Sequence, residues 1–254
     1  MVKLETTENE VVSIGRKGTM LVEQLNSRYL NETMTLKIYL PETYSDLYKY
    51  HLCIMQDGDD YYQLGRAATL SDRMHANGDM TNTILVGIHY QDKYDRRDKY
   101  HPQGSRQQAY MKFLVQEAVP FLDERLATLY MGQSRALVGD SLAGSLALMT
   151  ALKYPNTFGN VIMQSPLVDS VVLETVKRAN LQHPVSIYHT IGTEETVVDT
   201  TDGGQADFLG PSRELHKHIR EKGLPYTYHE LENGNHTWKY WQKDLGRAFL
   251  SLFN

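Results

Sequence analysis

After Pro41 the sequence alternates short, continuously apolar runs with longer stretches of helical periodicity. Such runs predict strands buried on both faces, and helical spacers between them predict a mostly parallel sheet covered by helices. Before Pro41, two segments alternate apolar and polar residues on either side of a turn at Asn31, which predicts an antiparallel pair. The predicted strands are Met20–Leu25, Thr33–Leu40, His51–Gln56, Thr83–His89, Ala136–Gly139, Val161–Gln164, Val185–Ile191 and Tyr226–Leu231.

These segments predict an α/β fold of about eight strands, the first two antiparallel, with helices on both faces of the sheet. Single helices are expected over Tyr61–Ala76 and Gln108–Leu126. No stretch is rich enough in Pro, Ser or Gly to act as a linker, and no repeat period is visible. We therefore expect residues 1–254 to form one domain.

Composition narrows the function classes. The 254 residues carry 26 Lys+Arg against 31 Asp+Glu, a net charge of −5 without a basic block, which argues against nucleic acid or membrane as the main partner. Cys53 has no second cysteine to pair with, and the first ten residues lack the apolar core of a signal peptide, so a cytoplasmic location is expected. The expected partner is a small molecule, and a homo-oligomer is compatible with the sequence.

The segment Gly139-Asp140-Ser141-Leu142-Ala143-Gly144 joins a predicted strand to an apolar-periodic helix. A sharp strand-to-helix turn needs small residues two positions before and two after its apex, and it lifts the apical side chain above the sheet edge. Ser141 is therefore the candidate nucleophile, and the N–H of Leu142 is a candidate oxyanion donor. The alternative is an ordinary tight turn capped by serine.

A serine nucleophile needs a base and an acid that orients the base. In hydrolases with such a turn, the chain order is serine, acid, histidine. His236 lies in the Gly/Asn-rich loop after the last predicted strand, which makes it the candidate base rather than a capping or surface histidine. Glu195 follows the preceding strand and is the favoured acid, with Glu194 and Asp199 as alternatives.

A second oxyanion donor is expected from the loop after the third strand, Gln56-Asp57-Gly58-Asp59-Asp60. Gly58 would let the backbone turn its amides inward, and the N–H of Asp59 is the predicted donor. The alternative is an acidic turn that caps the next helix.

Together these segments resemble the putative-esterase family of the α/β-hydrolase superfamily, which contains esterase D, S-formylglutathione hydrolases and enterochelin-type siderophore esterases. The resemblance runs from about Thr19 to the C-terminus. It rests on Tyr39-Leu-Pro41, Gln56-Asp-Gly58, Asp95-Arg-Arg-Asp-Lys-Tyr100-His-Pro102, the Gly139–Gly144 turn, Gly192-Thr-Glu-Glu195 and Asn235-His236-Thr-Trp238-Lys-Tyr-Trp241. Ala143 departs from the glycine usual at that position.

The resemblance implies a serine esterase that forms an acyl-enzyme without metal or cofactor. Ser141, His236 and Glu195 map to the triad, and Leu142 and Asp59 to the oxyanion hole. The alternatives are a siderophore trilactone hydrolase, an acyl thioesterase, and a scaffold of this fold that binds without turnover.

Three further side chains are candidates for substrate binding. Arg96 and Arg97 lie in the Tyr94–Arg106 connection and could present cations to an anionic substrate group, although Arg–Asp pairs that order the loop explain the same residues. Trp238 is a candidate for lining the acyl pocket, against a role in core packing. The polar connection Thr196–Gly210 is a candidate lid over the site.

Overall fold

The computed structural model describes residues 17–180, 183–200 and 203–254. Its centre is an eight-stranded sheet in the order β1-β2-β4-β3-β5-β6-β7-β10. The strands of this sheet are β1 (Thr19–Ser27), β2 (Glu32–Leu40), β3 (His51–Gln56), β4 (Thr83–Ile88), β5 (Arg135–Asp140), β6 (Asn160–Gln164), β7 (Ser186–Gly192) and β10 (Tyr226–Leu231). Two short strands, β8 (Val198–Asp199) and β9 (Gln205–Ala206), form a separate antiparallel pair.

The sheet confirms the predicted mixture of strand directions. Strands β1 and β2 pair antiparallel around a turn in which Asn31 has a φ of 54°, and β2 is also antiparallel to β4. All pairs from β4 through β3, β5, β6 and β7 to β10 are parallel. Their carboxyl ends therefore meet at one edge of the sheet, where the loops that carry polar side chains converge.

Helices cover both faces of the sheet, and the inner strands alternate between two apolar cores. In β3, Leu52 and Ile54 pack into one core, whereas Cys53 and Met55 pack into the other. Burial raises the pKa of the Cys53 thiol, which is consistent with a small core residue rather than a nucleophile. The helices are α1 (Gly58–Gln63), α2 (Ala67–Asn77), α3 (Lys93–Tyr100), α4 (Gln107–Phe113), α5 (Val119–Arg125), α6 (Leu142–Lys153), α7 (Ser170–Arg178), α8 (Leu209–Glu221) and α9 (Trp238–Phe253).

Two expected helices are interrupted. The segment predicted as one helix over Tyr61–Ala76 is α1 and α2, separated where Arg66 takes a φ of 55°. The segment predicted over Gln108–Leu126 contains a π-helical turn, Leu114–Ala118, between α4 and α5. Pro120 is the second residue of α5. It lacks an N–H and its ring crowds the carbonyl four residues earlier, which explains the wider turn.

Helix α3 covers the first half of the Tyr94–Arg106 segment, which the sequence presents as a loop. Its sequence has no apolar stripe, so periodicity alone does not reveal it. The Asp92 side chain caps it by accepting hydrogen bonds from the N–H groups of Tyr94 and Asp95 at 2.8 and 2.9 Å. Buried Lys99 pairs with Glu32 of β2 and with Asp95 of its own helix, so an ion pair helps to hold this helix to the β1–β2 pair.

Within the described residues, no helix combines the length and apolar character that crossing a bilayer requires. The expectation about a leader concerns residues outside the described ranges.

Candidate active site

The turn between β5 and α6 has the geometry predicted for a nucleophile. Ser141 has φ 52° and ψ −121°, a conformation that costs a non-glycine residue about 1–3 kcal/mol and that the surrounding structure must enforce. A Cβ at Gly139 would lie 2.7 Å from the Cβ of Ala143, so the turn closes because residue 139 has no side chain. Alanine at the position usually held by glycine is therefore tolerated. Ser141 is partly exposed at the carboxyl edge of the sheet.

The loops after β7 and β10 are held together by a close approach of two glycines. A Cβ at Gly234 would lie 3.0 Å from the Cα of Gly192, and the N–H of Glu194 donates to the carbonyl of Gly234 at 2.8 Å. Thr193 likewise donates its N–H to the carbonyl of Leu231 at 3.1 Å. This contact brings the loop with the acid candidates against the loop with the histidine.

His236 contacts Glu195 and neither of the other acid candidates. Its Nδ1 lies 2.6 Å from Glu195 Oε2, and Glu195 is 1% exposed. Glu194 is exposed, and the carboxylate of Asp199 accepts a hydrogen bond from Gln205 at 3.0 Å. A proton on Nδ1 directed to a buried carboxylate leaves Nε2 as the basic nitrogen of the ring.

The second oxygen of Glu195 is fixed by residues that the sequence reasoning missed. Oε1 accepts hydrogen bonds from Ser165 Oγ at 2.6 Å and from the N–H of Gly192 at 2.8 Å. Ser165 Oγ in turn accepts from the indole N–H of Trp241 at 2.9 Å. Ser165 directly follows β6 and has a φ of 47°. The sequence does contain a signal for Ser165, because a polar residue directly after a parallel strand lies at the sheet edge where functional side chains gather.

The turn before α1 departs from its predicted geometry. The positive φ, 55°, belongs to Asp57, whereas Gly58 is required because its Cα approaches Gly87 too closely for a Cβ. Asp59 turns its side chain to Lys37 Nζ at 2.7 Å and lies outside the residues that line the pocket beside Ser141. The Asp59 N–H remains a predicted oxyanion donor. Leu142 is the first residue of α6, where helix geometry leaves the N–H without a partner inside the helix, and it lines the pocket.

The guanidinium group of Arg96 contacts two carboxyl groups of the protein. Its Nε lies 3.0 Å from both carboxylate oxygens of Asp57, and its Nη2 lies 3.9 Å from Oδ2 of Asp140. Burial raises the pKa of Asp140 well above its usual value, the charge of Asp57 raises it further, and Arg96 opposes both. The interpretation of Arg96 as a cation that orders its own segment therefore fits better than a free charge for an anionic substrate.

Ser141, His236 and Arg96 line one cavity of about 300 Å³. Arg97 borders it, and its contribution to substrate binding stays a prediction. Trp238 does not border the cavity: it packs edge-on against Tyr61 at 4.8 Å and against Trp241 at 5.5 Å, and Trp241 is the tryptophan that reaches the cavity. The lining residues are Asp57, Asp60, Tyr90, Arg96, Arg97, His101, Asp140, Ser141, Leu142, Leu167, Asp199, Thr200, Phe208, His236 and Trp241.

A family model described as putative esterase matches residues 27–252 of the chain. The chain belongs to the putative-esterase family. It is therefore a carboxylic ester hydrolase, and its eight-stranded, mostly parallel sheet has the α/β-hydrolase fold.

The esterase is similar to several known proteins. It is 47% identical over 227 residues to the uncharacterized protein YjcH of Bacillus subtilis (strain 168), covering 89% of this chain and 94% of YjcH. Among solved structures, a ferulic acid esterase has a TM-score of 0.78 at 17% identity and covers 94% of this chain and 99% of its own. Enterochelin esterase from Shigella flexneri has a TM-score of 0.78 at 16% identity, covering 95% of this chain and 59% of its own. At these identities the solved structures establish the fold.

Replacing Ser165 by alanine tests whether this hydroxyl positions Glu195. We expect kcat for a p-nitrophenyl ester to fall about tenfold with little change in KM, because a hydrogen bond to a charged group is worth about 1.5–3 kcal/mol. Ser212→Ala is the matched control, since Ser212 is equally buried and its hydroxyl has no hydrogen-bond partner among the residues that the structure describes. Equal kcat in both variants would contradict a positioning role.

Proposed function

We propose that the chain is a serine esterase that works through Ser141, His236 and Glu195. The observation that carries this proposal is the 2.6 Å contact between His236 Nδ1 and the buried carboxylate of Glu195, beside the cavity that Ser141 also lines. We further propose that one domain carries the whole site, since its residues follow β5, β7 and β10 of the same sheet.

Acylation begins when Ser141 Oγ attacks the ester carbonyl and His236 Nε2 accepts the hydroxyl proton. Glu195 keeps the ring in the orientation and tautomer this requires, and it stabilises the imidazolium that forms. The N–H of Leu142 donates to the developing oxyanion, and the N–H of Asp59 is the proposed second donor. The protonated His236 then gives its proton to the leaving alkoxide, which leaves as the alcohol.

Deacylation repeats these steps with water. His236 removes a proton from water, which attacks the acyl carbonyl, and the tetrahedral intermediate collapses as Ser141 Oγ leaves and recovers a proton from His236. No step of this sequence calls on a metal or an organic cofactor.

The size of the cavity favours small esters. About 300 Å³ is at the lower end of the range for small-molecule sites, and it accommodates a short acyl or alcohol group rather than a complete siderophore trilactone. We therefore propose simple carboxylic esters ahead of trilactones. Acyl thioesters use the same chemistry and remain the second candidate class for this site.

A fluorophosphonate probe and a substrate panel test this proposal. An activated serine should be labelled once per chain, and mass spectrometry should place the label on Ser141, whereas His236→Asn should suppress labelling because the base is lost. Hydrolysis should be faster for p-nitrophenyl acetate than for a catecholate trilactone. A chain that hydrolyses neither esters nor thioesters and takes up no label would instead be a binding protein.

A further inference from the structure

The cavity beside Ser141 is lined by more acidic than basic side chains. Arg96 is already matched by Asp57 through contacts of 3.0 Å, so it contributes little net positive charge to the cavity. The Glu195 carboxylate is likewise turned to His236 and Ser165. The ionisable groups of the lining, apart from His101 and His236, are Asp57, Asp60, Asp140, Asp199, Arg96 and Arg97.

Asp140 adds an unmatched buried acceptor to this lining. It directly precedes Ser141, is 5% exposed and contributes to the cavity wall. Its Oδ2 lies near Arg96, but its Oδ1 is buried without a hydrogen-bond partner within the described residues. Leaving such an atom unmatched is costly, so a group that enters the cavity and offers a hydrogen bond to Asp140 is favoured.

Two further groups at the cavity are affected by the charges of its carboxylates. Burial and then the charges of Asp57 and Asp60 raise the pKa of Tyr90 to about 12, with Arg96 opposing in part. The pKa of Asp60 is also raised, by burial and by the charge of Asp57. The same repulsion would act on an anionic group of a substrate.

Aromatic side chains complete the wall on the side of the histidine. The rings of Phe208 and Trp241 lie 4.5 and 4.9 Å from the ring of His236, and both residues line the cavity. Aromatic faces attract alkylammonium groups, and the attraction increases as the cation loses water. Carboxyl groups and aromatic rings therefore surround the space that the substrate must enter.

We propose that this cavity selects esters that carry a positive charge, such as an alkylammonium group on the alcohol, and disfavours anionic esters. This inference rests on the proposed function and specifies its substrate class. It reverses the sequence-based interpretation in which Arg96 attracts an anionic substrate, because Asp57 and Asp140 lie against Arg96.

Three acetate esters of similar size test the preference. Acetylcholine carries a trimethylammonium group, 3,3-dimethylbutyl acetate is its neutral isostere, and 4-acetoxybutanoate is anionic. We expect kcat/KM for acetylcholine to exceed that of the isostere by about tenfold, with the anionic ester slowest. An isostere hydrolysed as well as acetylcholine, or an anionic ester hydrolysed faster than the isostere, would overturn the proposal.

The Asp60→Asn variant tests whether the preference for the cationic ester arises from the cavity. This change should lower the ratio of acetylcholine to isostere turnover about threefold, since it removes one nearby charge, while the ratio itself corrects for any general loss of catalysis. Glu124→Gln, on the exposed surface of α5, is the matched control and should leave the ratio unchanged. Equal ratios in the two variants would contradict the assignment.

Calorimetry separates this inference from the proposed catalysis. Choline should bind the wild-type protein and Ser141→Ala about tenfold more tightly than 3,3-dimethylbutanol does, because neither measurement requires turnover. If no ester is hydrolysed but choline is preferred, the proposed function fails and the charge preference stands. If esters are hydrolysed but the two alcohols bind equally, the proposed function stands and the charge preference fails.

Discussion

Replacing Ser141 by alanine is expected to lower kcat/KM for p-nitrophenyl acetate by about 10⁴-fold or more, because losing one member of a triad of this kind removes the whole covalent route. Some acceleration over the reaction in water should persist from the oxyanion donors and substrate binding. The fold should be retained, since a smaller side chain at the apex adds no clash and the backbone contacts of residue 141 to Gln164 and Leu167 do not involve its hydroxyl.

Initial rates and a thermal melt of the purified variant provide the measurement. Ser170→Ala is a suitable control because Ser170 is exposed at the start of α7, and it should behave as wild type. Activated esters also react with other surface nucleophiles, so the control sets the background. Wild-type turnover by a clean Ser141→Ala preparation would place the nucleophile elsewhere.

The geometry of the turn at Ser141 could be predicted from sequence because its determinants are local. Gly139 and Ala143 lie two residues on either side of Ser141, and the structure shows them in close approach around a residue with φ 52°. The strand pattern was equally informative, since burial on both faces produces continuous apolar runs that are visible without any knowledge of neighbouring strands.

What the sequence could not provide depends on contacts between distant segments. Helix α3 has no apolar stripe, and it is held by Lys99 against Glu32 and by Arg96 against Asp57, pairings that no local pattern specifies. Contacts between distant segments also decide that Trp241, and not Trp238, lines the cavity. The two residues lie three apart on α9, and only the position of Tyr61 and His236 decides which ring faces the cavity.

The choice among the acid candidates also depends on tertiary structure. The sequence favours Glu195 as the acid because of its distance from the end of the preceding strand, but Glu194 and Asp199 remain alternatives. In the structure, Gly192 packs closely on Gly234 and so positions the loop that carries Glu195. Ser165, directly after β6, donates a hydrogen bond to one carboxylate oxygen of Glu195, and His236 Nδ1 contacts the other. Three strands therefore cooperate to select one carboxylate.

This arrangement leads to the second large expected effect, that of Glu195→Gln. The amide is nearly isosteric but neutral, so it cannot stabilise the imidazolium of His236, and its NH₂ group can favour the wrong ring tautomer. We expect kcat to fall by about 10³–10⁴-fold with KM nearly unchanged, because the carboxylate acts on the base rather than on bound ester.

Glu194→Gln and Asp199→Asn are the matched controls for this change. Each removes one acidic charge from the same loop, and we expect each to lower kcat less than about threefold, since neither side chain contacts His236. Steady-state kinetics on the three variants under one set of conditions decides the assignment. If Asp199→Asn were the most damaging of the three, Asp199, which also borders the cavity, would have to move towards His236 during turnover, and Glu195 would be left with a structural role in fixing Ser165 and the Gly192 turn.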